Sequence, residues 1–482
     1  VIKQKFDLFI GGQWTEPRSK EYLADYNPWT GELLAEVAAA TVEDVNDAVI
    51  SAAKAQKEWQ NVPPAAKEKV LLRAADILEQ NFDSFVDFLS NESGSAIPKA
   101  RVEVGISADI LRVAAGECRR ISGEILSAEA PGVVSMVVRK PRGVIAAIGP
   151  FNFPLILLLQ KTAYAIACGN AVVAKSSSET PAIAYKVAAL FAEAGVPAGL
   201  VNAVSGRGSQ IGDALVTHPQ IAMVAFTGST EVGRHINQMA SESFKKVSLE
   251  MGGKSALVVL KDADLDYAVN AANFGIFFHQ GQICCVNSRI IVERPVYEEF
   301  LEKFKAKAKQ VPIGTESNKM VVVGPLISQE QLNKVEAHVA DARTKEAVIV
   351  AGGTHQGLFY QPTIIANVNS SMQVYSEETF GPVAVVIQAE DVNEAINIAN
   401  STSYGLSAAV MTQDISQAFK VARELEAGMV HVNNATFFVE NTAPFGGVKE
   451  SGNAREGGHF SIDEYTELKW ITINTHKNPF PF

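Results

Sequence analysis

Two short segments hold side chains of complementary reactivity. Gly281-Gln282-Ile283-Cys284-Cys285 carries adjacent thiols, and Leu249-Glu250-Met251-Gly252-Gly253 carries a carboxylate beside paired glycines. A thiolate adds to a carbonyl carbon to form a covalent adduct, and a carboxylate within reach activates the water that releases it. The pair therefore points to nucleophilic chemistry at a carbonyl, and by itself does not separate oxidation from plain hydrolysis.

The elements that position these groups follow from pattern. Thr41-Val42-Glu43-Asp44 reads as a helix start, followed by Val45, Ala48, Val49 and Ala52 at helical spacing. The helical pattern continues over 70–89, so the N-terminal part reads as helical. From about residue 143, apolar runs at 143–148, 171–174, 200–204, 222–226 and 246–249 alternate with helical stretches such as 182–193 and 209–216. A second series occupies 255–259, 289–292, 347–350, 383–387, 407–411 and 429–432. Such alternation predicts two α/β units with mostly parallel sheets covered on both faces, joined near 250–253, where glycines permit a turn. Around Ala130-Pro131-Gly132, within 120–140, two strand-like stretches predict a protruding hairpin whose apolar face needs a partner.

Composition narrows the function. A chain of 482 residues, 47% hydrophobic and 20% charged, exceeds one ordinary core and predicts two or three domains. Its net charge of −11, with no offsetting Lys/Arg cluster, disfavours nucleic acid. The apolar stretch 151–159 is shorter than a bilayer span and is interrupted by Asn152 and Pro154, so no membrane association is expected. Val1-Ile2-Lys3-Gln4-Lys5-Phe6-Asp7 lacks a basic start followed by an apolar core, which makes the cytoplasm the expected location. Four cysteines, at 118, 168, 284 and 285, make no disulfide framework and read as reduced thiols. Cys118 and Cys168 lie in helical surroundings and read as core. Neither CxxC nor HExxH occurs, so no metal is expected.

For a cofactor, Gly206-Arg207-Gly208-Ser209-Gln210-Ile211-Gly212 approximates GxGxxG with its spacing off by one. Phe226-Thr227-Gly228-Ser229-Thr230-Glu231-Val232-Gly233 is more informative, since it follows an apolar run and opens a helical one. Gly228, Ser229 and Gly233 at a strand-to-helix turn would let a pyrophosphate approach helix N-terminal amides.

Taken together, these segments resemble the NAD(P)-dependent aldehyde dehydrogenase superfamily over essentially the whole chain. The blocks stand in the family's order: Gly149-Pro150-Phe151-Asn152-Phe153-Pro154, Phe226-Thr227-Gly228-Ser229-Thr230, Leu249-Glu250-Met251-Gly252-Gly253-Lys254, Gly281-Gln282-Ile283-Cys284, Glu377-Glu378-Thr379-Phe380-Gly381-Pro382, and Pro444-Phe445-Gly446-Gly447-Val448-Lys449-Glu450-Ser451-Gly452. The resemblance implies a Rossmann-like cofactor domain at 1–119 and 141–250 and an α/β catalytic domain at 251–450. It further implies a returning segment at 451–467 and an oligomerisation module at 120–140 and 468–482, giving a homodimer or homotetramer.

The resemblance also implies roles. Cys284 matches the nucleophile, with Cys285 as packing. Asn152 matches the amide that, with the Cys284 N–H, stabilises an oxyanion, and Glu250 the base that hydrolyses the thioester. Relatives that transfer the acyl group to coenzyme A generally lack this glutamate, so hydrolysis is implied. Lys161 and Glu467 match a lysine and a glutamate near the catalytic centre, Glu378 with neighbouring Phe380 the nicotinamide ribose site, and Lys175 the adenosine ribose site. Many NAD-preferring members carry a glutamate where this chain has Ser178, so NADP acceptance is expected beside or above NAD, with neighbouring Glu179 a competing carboxylate. The implied substrate tunnel comprises Phe151, Phe153, Leu157, Ile283, Phe437 and Phe438, without an obvious cation for a substrate carboxylate. The chain is also similar to the bacterial benzaldehyde and vanillin dehydrogenase branch, which implies an aromatic aldehyde, with a medium-chain aliphatic aldehyde or a semialdehyde as the alternative. A binding or structural protein on the same fold, and a cysteine hydrolase without nicotinamide, are the alternatives of other classes. Joint retention of Cys284, Glu250 and Asn152 speaks against the former, and the cofactor turn against the latter.

Overall fold

Runs that are apolar at every position become strands buried on both faces. In the computed structural model, Val144–Ile148, Ala171–Lys175, Val201–Ala203, Ile221–Thr227 and Lys246–Glu250 pair in parallel. The model describes residues 4–315, 317–477 and 480; the outermost positions of the spans 1–119 and 468–482 named above lie outside the described residues. The first of these five strands lies between the second and the fourth, so the winding direction reverses between Val144–Ile148 and Ile221–Thr227. In open parallel sheets such a reversal leaves a crevice outside the carboxyl ends of the strands, where ligands bind.

Leu8–Ile10 and Gln13–Thr15 extend this sheet to seven strands in antiparallel fashion. The expectation of a helical N-terminal part is corrected here, because five short strands between Gln4 and Ala38 precede the first helix, Val42–Trp59. Strands of three residues are too brief to display a period. The helix start at Thr41 is a capping box: Asp44 N–H donates to Thr41 Oγ1 at 3.2 Å and Thr41 N–H to Asp44 Oδ2 at 2.9 Å. The 70–89 pattern spans two helices, Pro64–Gln80 and Phe82–Ser93, separated at Asn81, whose amide donates back to Ile77 O at 2.9 Å.

The second seven-stranded sheet runs in the order Val348–Ala351, Thr363–Ala366, Val383–Ala389, Arg289–Glu293, Ala256–Val259, Ser407–Met411, Met429–Val432. Every neighbouring pair is parallel except the first. Glu124–Leu126 and Val133–Pro141 form the expected hairpin, and Thr466–Asn474 pairs with the whole length of Val133–Pro141. Ile125, Leu468 and Trp470 are exposed on this small sheet. Among the described residues no helix is long and apolar enough to cross a membrane.

Arg289 ties the second sheet to its surroundings. Fully buried, it donates Nε to Lys254 O at 3.0 Å, Nη1 to Ile398 O at 3.0 Å and Nη2 to Ala399 O at 2.8 Å. Two of these carbonyls end the helix Val392–Asn400, where intrahelical donors run out. Arg289→Met should strip this donor from the carbonyls of Lys254 and Ala399, while Ile398 O keeps Ser401 N–H at 3.2 Å and Ser401 Oγ at 2.7 Å, and should cost about 2 kcal/mol or more. Urea denaturation should therefore show a lower midpoint; an unchanged midpoint would remove this role.

Candidate active site

A cavity of about 730 Å³ opens at the carboxyl ends of the first sheet. Its wall comprises 148–152, 175–179, 226–229 and 251–252, each at the end of a parallel strand, with Cys284, Glu378 and Phe380 from the other half. The winding reversal thus faces the predicted nucleophile.

Cys284 sits between the helix Leu265–Phe277 and the strand Arg289–Glu293. The chain reaches it through three successive left-handed residues, His279, Gln280 and Gly281, with φ of 52°, 46° and 72°. Side-chain amides hold this turn: Gln280 Nε2 donates to Pro325 O at 2.7 Å, and Gln282 Oε1 accepts Ile327 N–H at 3.0 Å. A Cβ on Gly281 would lie 2.1 Å from Gly381 O, so only glycine fits. Cys284 is half-buried on the cavity wall, whereas Cys285 turns into the hydrophobic core. The Cys285 sulfur as hydrogen-bond partner, burial and the Glu378 charge hold the Cys284 thiol well above its ordinary pKa. The Cys284 thiol therefore holds its proton more tightly than a free thiol does. Cys118 and Cys168 are buried, and burial pushes the Cys118 thiol up to about 12.

Glu250 ends the strand Lys246–Glu250 and is buried, with no hydrogen-bond partner on either carboxylate oxygen. Burial, then Glu456 and Cys284, push its pKa well up, while Lys161 and Arg455 oppose. An orphaned buried carboxyl is costly and marks a working group. A Cβ on Gly446 would stand 2.0 Å from Ala454 O and 2.9 Å from Glu250 Oε1, which explains one glycine of the last block.

Lys161 projects from the helix Pro154–Ala167 and pairs with Glu456 at 2.8 Å, both buried. The assignment of Glu467 beside it is corrected. Glu467 is exposed on Thr466–Asn474 opposite Lys140, because the strand carries it out along the small sheet. Glu456, flanked by Arg455 and Gly457, is the glutamate that the sequence reading missed; its burial carries no sequence signal.

Asn152 is buried, and its Nδ2 donates to Gln282 O at 2.9 Å, leaving a second N–H on the same nitrogen. Asn152 and Cys284 share the cavity wall. Glu378 Oε1 accepts Gly253 N–H at 3.1 Å, and a Cβ on Gly252 would lie 2.4 Å from Glu378 Oε2. Phe380, at φ 56°, sets its ring edge-on to Phe151 at 5.6 Å. Gln331, on the helix Gln329–Thr344, supports this turn by donating to Thr379 O and Phe380 O at 3.0 and 2.8 Å. It too was missed, being one polar residue among many on a helix.

At the far end, Lys175 is buried and donates to Ser176 O at 3.0 Å, with its pKa lowered by burial to about 8. Ser178 is exposed at the cavity edge. Ser229 caps the helix Thr230–Ser241 by accepting Val232 N–H at 3.3 Å. Cβ atoms on Gly228 and Gly233 would lie 2.4 Å from the Phe226 ring and 2.1 Å from Met251 Sδ, so both glycines allow the helix start to settle on the strand ends. Thr227 Oγ1 is buried there without a partner. These residues fit a dinucleotide.

The predicted tunnel residues divide. Phe151 and Leu157 line the cavity. Phe153 lies behind Asn152 within an aromatic stack, 5.9 Å from Phe437, which also meets Phe278 at 5.9 Å and Phe274 at 6.1 Å. Ile283 is 2% exposed in the core and Phe438 is 45% exposed against His431; like Phe153 and Phe437, neither lines the cavity. Each neighbours a residue that faces inward, Cys284 and Phe437, and adjacent side chains diverge. Phe274 and Phe278 were missed because apolar residues at a helix end read as core.

The family model described as "Aldehyde dehydrogenase family" matches residues 14–471. A benzaldehyde dehydrogenase of Bacillus subtilis is 40% identical over 98% of this chain and 98% of its own. A salicylaldehyde dehydrogenase from Pseudomonas putida G7, solved with salicylaldehyde, superposes with a TM-score of 0.97 at 37% identity, covering 99% of this chain and all of its own (100%). An NADP-dependent enzyme of E. coli superposes with a TM-score of 0.95 at 34% identity over 98% of each chain. The chain belongs to the aldehyde dehydrogenase family. Its activity is the NAD(P)-dependent oxidation of an aldehyde.

The raised Glu250 pKa has a consequence for stability. The folded state binds this proton more tightly than the unfolded chain, so stability present below the ordinary value of 4.5 is lost as pH rises through the folded-state value. Glu250→Gln does not ionise. Its thermal midpoint, relative to wild type, should therefore rise as pH is raised through that range; a difference independent of pH would contradict the perturbed carboxyl.

Proposed function

We propose that the protein oxidises an aromatic aldehyde of the benzaldehyde type to its carboxylic acid. The observation that carries this reading is the aromatic stack of Phe153, Phe437, Phe278 and Phe274 behind Asn152, beside the apolar cavity wall of Phe151, Leu157 and Phe380. Lys161, the lysine whose charge reaches Glu250, is engaged with Glu456 and is not offered to a substrate carboxylate. The names of the relatives given above support the same substrate class.

In this reading Cys284 adds to the aldehyde carbon, and the resulting oxyanion is met by the second Asn152 Nδ2–H and the Cys284 backbone N–H. Removing a donor of this kind costs about 2.7–4 kcal/mol of barrier. Glu378 and Phe380 on the cavity wall would hold a bound nicotinamide, which would supply the hydride acceptor. The product on the protein is a thioester at Cys284. Glu250 takes a proton from the water that attacks it, and the buried Lys161–Glu456 pair lends Glu250 a charged neighbour through which that proton can leave.

We infer that the first sheet with the N-terminal helices binds the nucleotide and the second carries the nucleophile. Lys175, with a pKa of about 8, shares the cavity wall with Ser178, and the competing Glu179 on the same wall has its pKa raised by burial, which weakens its repulsion of a 2′-phosphate, so NADP is accepted as well as NAD. The exposed Ile125, Leu468 and Trp470 suit burial between subunits, so a dimer or tetramer should appear in light scattering and a monomer would contradict it. The inferred cytoplasmic location is checked by cell fractionation, and recovery with membranes would oppose it.

Steady-state kinetics with benzaldehyde, hexanal and succinic semialdehyde, each with NAD and NADP, test the whole reading. Benzaldehyde should have the highest kcat/KM, both nucleotides should support turnover, and Cys284→Ala should abolish it. Faster oxidation of the semialdehyde, or turnover with NAD alone, would overturn the substrate or the nucleotide assignment respectively.

A further inference from the structure

The helix Ile97–Glu117 brings two fully buried charges, Lys99 and Glu103, against the segment that carries Asn152. Lys99 and Glu103 are hydrogen-bonded to each other. Lys99 Nζ also donates to the backbone carbonyl of Asn152 at 2.6 Å and lies 4.2 Å from the centre of the Phe153 ring. Glu103 Oε1 accepts the N–H groups of Leu155 at 2.9 Å and Ile156 at 3.3 Å. These amides open the helix Pro154–Ala167, whose N-cap, Phe153, has no side-chain oxygen to satisfy them.

We propose that the Lys99–Glu103 pair is a positioning device for the oxyanion donor, fixing Asn152 from behind while Gln282 O fixes its amide from in front. This inference rests on the reading of Asn152 given above. A buried ion pair seldom outperforms apolar residues of similar volume in stability. What this pair adds is direction: its contacts outside itself converge on residues 152–156. The buried His279 ring, edge-on to Phe153 at 5.6 Å, closes the cluster; burial and the Lys99 charge keep it neutral. Glu103, by capping the helix, also sets the height of Lys161 two turns further on.

The test needs no nucleotide. With p-nitrophenyl acetate, the Cys284 sulfur bonds to the acyl carbon and the ester C–O bond breaks, releasing p-nitrophenolate through a tetrahedral oxyanion. With iodoacetamide the same sulfur displaces iodide, and no oxyanion forms. Lys99→Met and the double variant Lys99→Met/Glu103→Leu, which leaves no unpaired charge, are each made in wild-type and Asn152→Ala backgrounds, with folding checked by circular dichroism. First-turnover p-nitrophenolate release should slow by about tenfold or more. Alkylation at Cys284, followed by mass spectrometry, should stay within about twofold, and in Asn152→Ala the loss should vanish, as for residues acting through one another.

Normal acylation in the folded double variant, with slow acylation in Asn152→Ala, would overturn the positioning role and spare the reading of Asn152. Equal slowing of acylation and alkylation, or a loss that persists in Asn152→Ala, would make the pair merely structural and overturn it as well. Normal acylation in Asn152→Ala would remove the oxyanion reading itself, and the inference with it.

Discussion

Burial opposes ionisation, and this enzyme performs proton chemistry with buried groups. Glu250 and Cys284 both hold their protons more tightly than they would in water, Glu250 through burial and its neighbours Glu456 and Cys284, Cys284 through Cys285, burial and the Glu378 charge. The same desolvation strengthens every aimed dipole and charge at the seam between the two sheets. Much of the surrounding architecture supplies charge or direction where water is absent: Lys161 with Glu456 beside the base, and Lys99 with Glu103 behind the amide.

Packing such groups tightly places a second demand, on the backbone. Cys284, Glu250 and Glu378 come close to one another where side chains are missing. A Cβ on Gly253 would lie 2.6 Å from Cys284 O, one on Gly252 would strike Glu378, and one on Gly446 would crowd Glu250. The glycines of the sequence blocks thus clear space, mostly for backbone, around Cys284, Glu250 and Glu378. The left-handed run from His279 to Gly281 belongs to the same economy, since it turns the chain sharply enough to present Cys284 while Cys285 enters the core.

Much of this was legible from the chain. The five parallel strands of the first sheet and four of the six predicted strands of the second were readable because strands covered on both faces are apolar at successive positions; the other two, Val348–Ala351 and Met429–Val432, are partly exposed edge strands. Cys284, Glu250 and Asn152 stand out because their blocks combine reactive groups with turn residues. Three of the five N-terminal strands escaped because three residues carry no period, and the break at Asn81 because it continues the helical spacing. Glu467 was chosen over Glu456 because sequence places a glutamate near a block without showing which way it faces; one lies exposed on a strand, the other buried beside Lys161. Lys99 and Glu103 carry no sequence signal of their own, and only the fold shows them at 0% exposure.

The central claim is a covalent sequence in which Cys284 takes the acyl group and Glu250 is needed only to release it. Mass spectrometry of Glu250→Gln, quenched after mixing with benzaldehyde and nucleotide, tests this most directly. A benzoyl thioester should accumulate on Cys284 alone, while Asn152→Ala should accumulate far less. An unmodified Cys284 after reduced nucleotide has formed, or an acyl group on Cys285, would contradict the account.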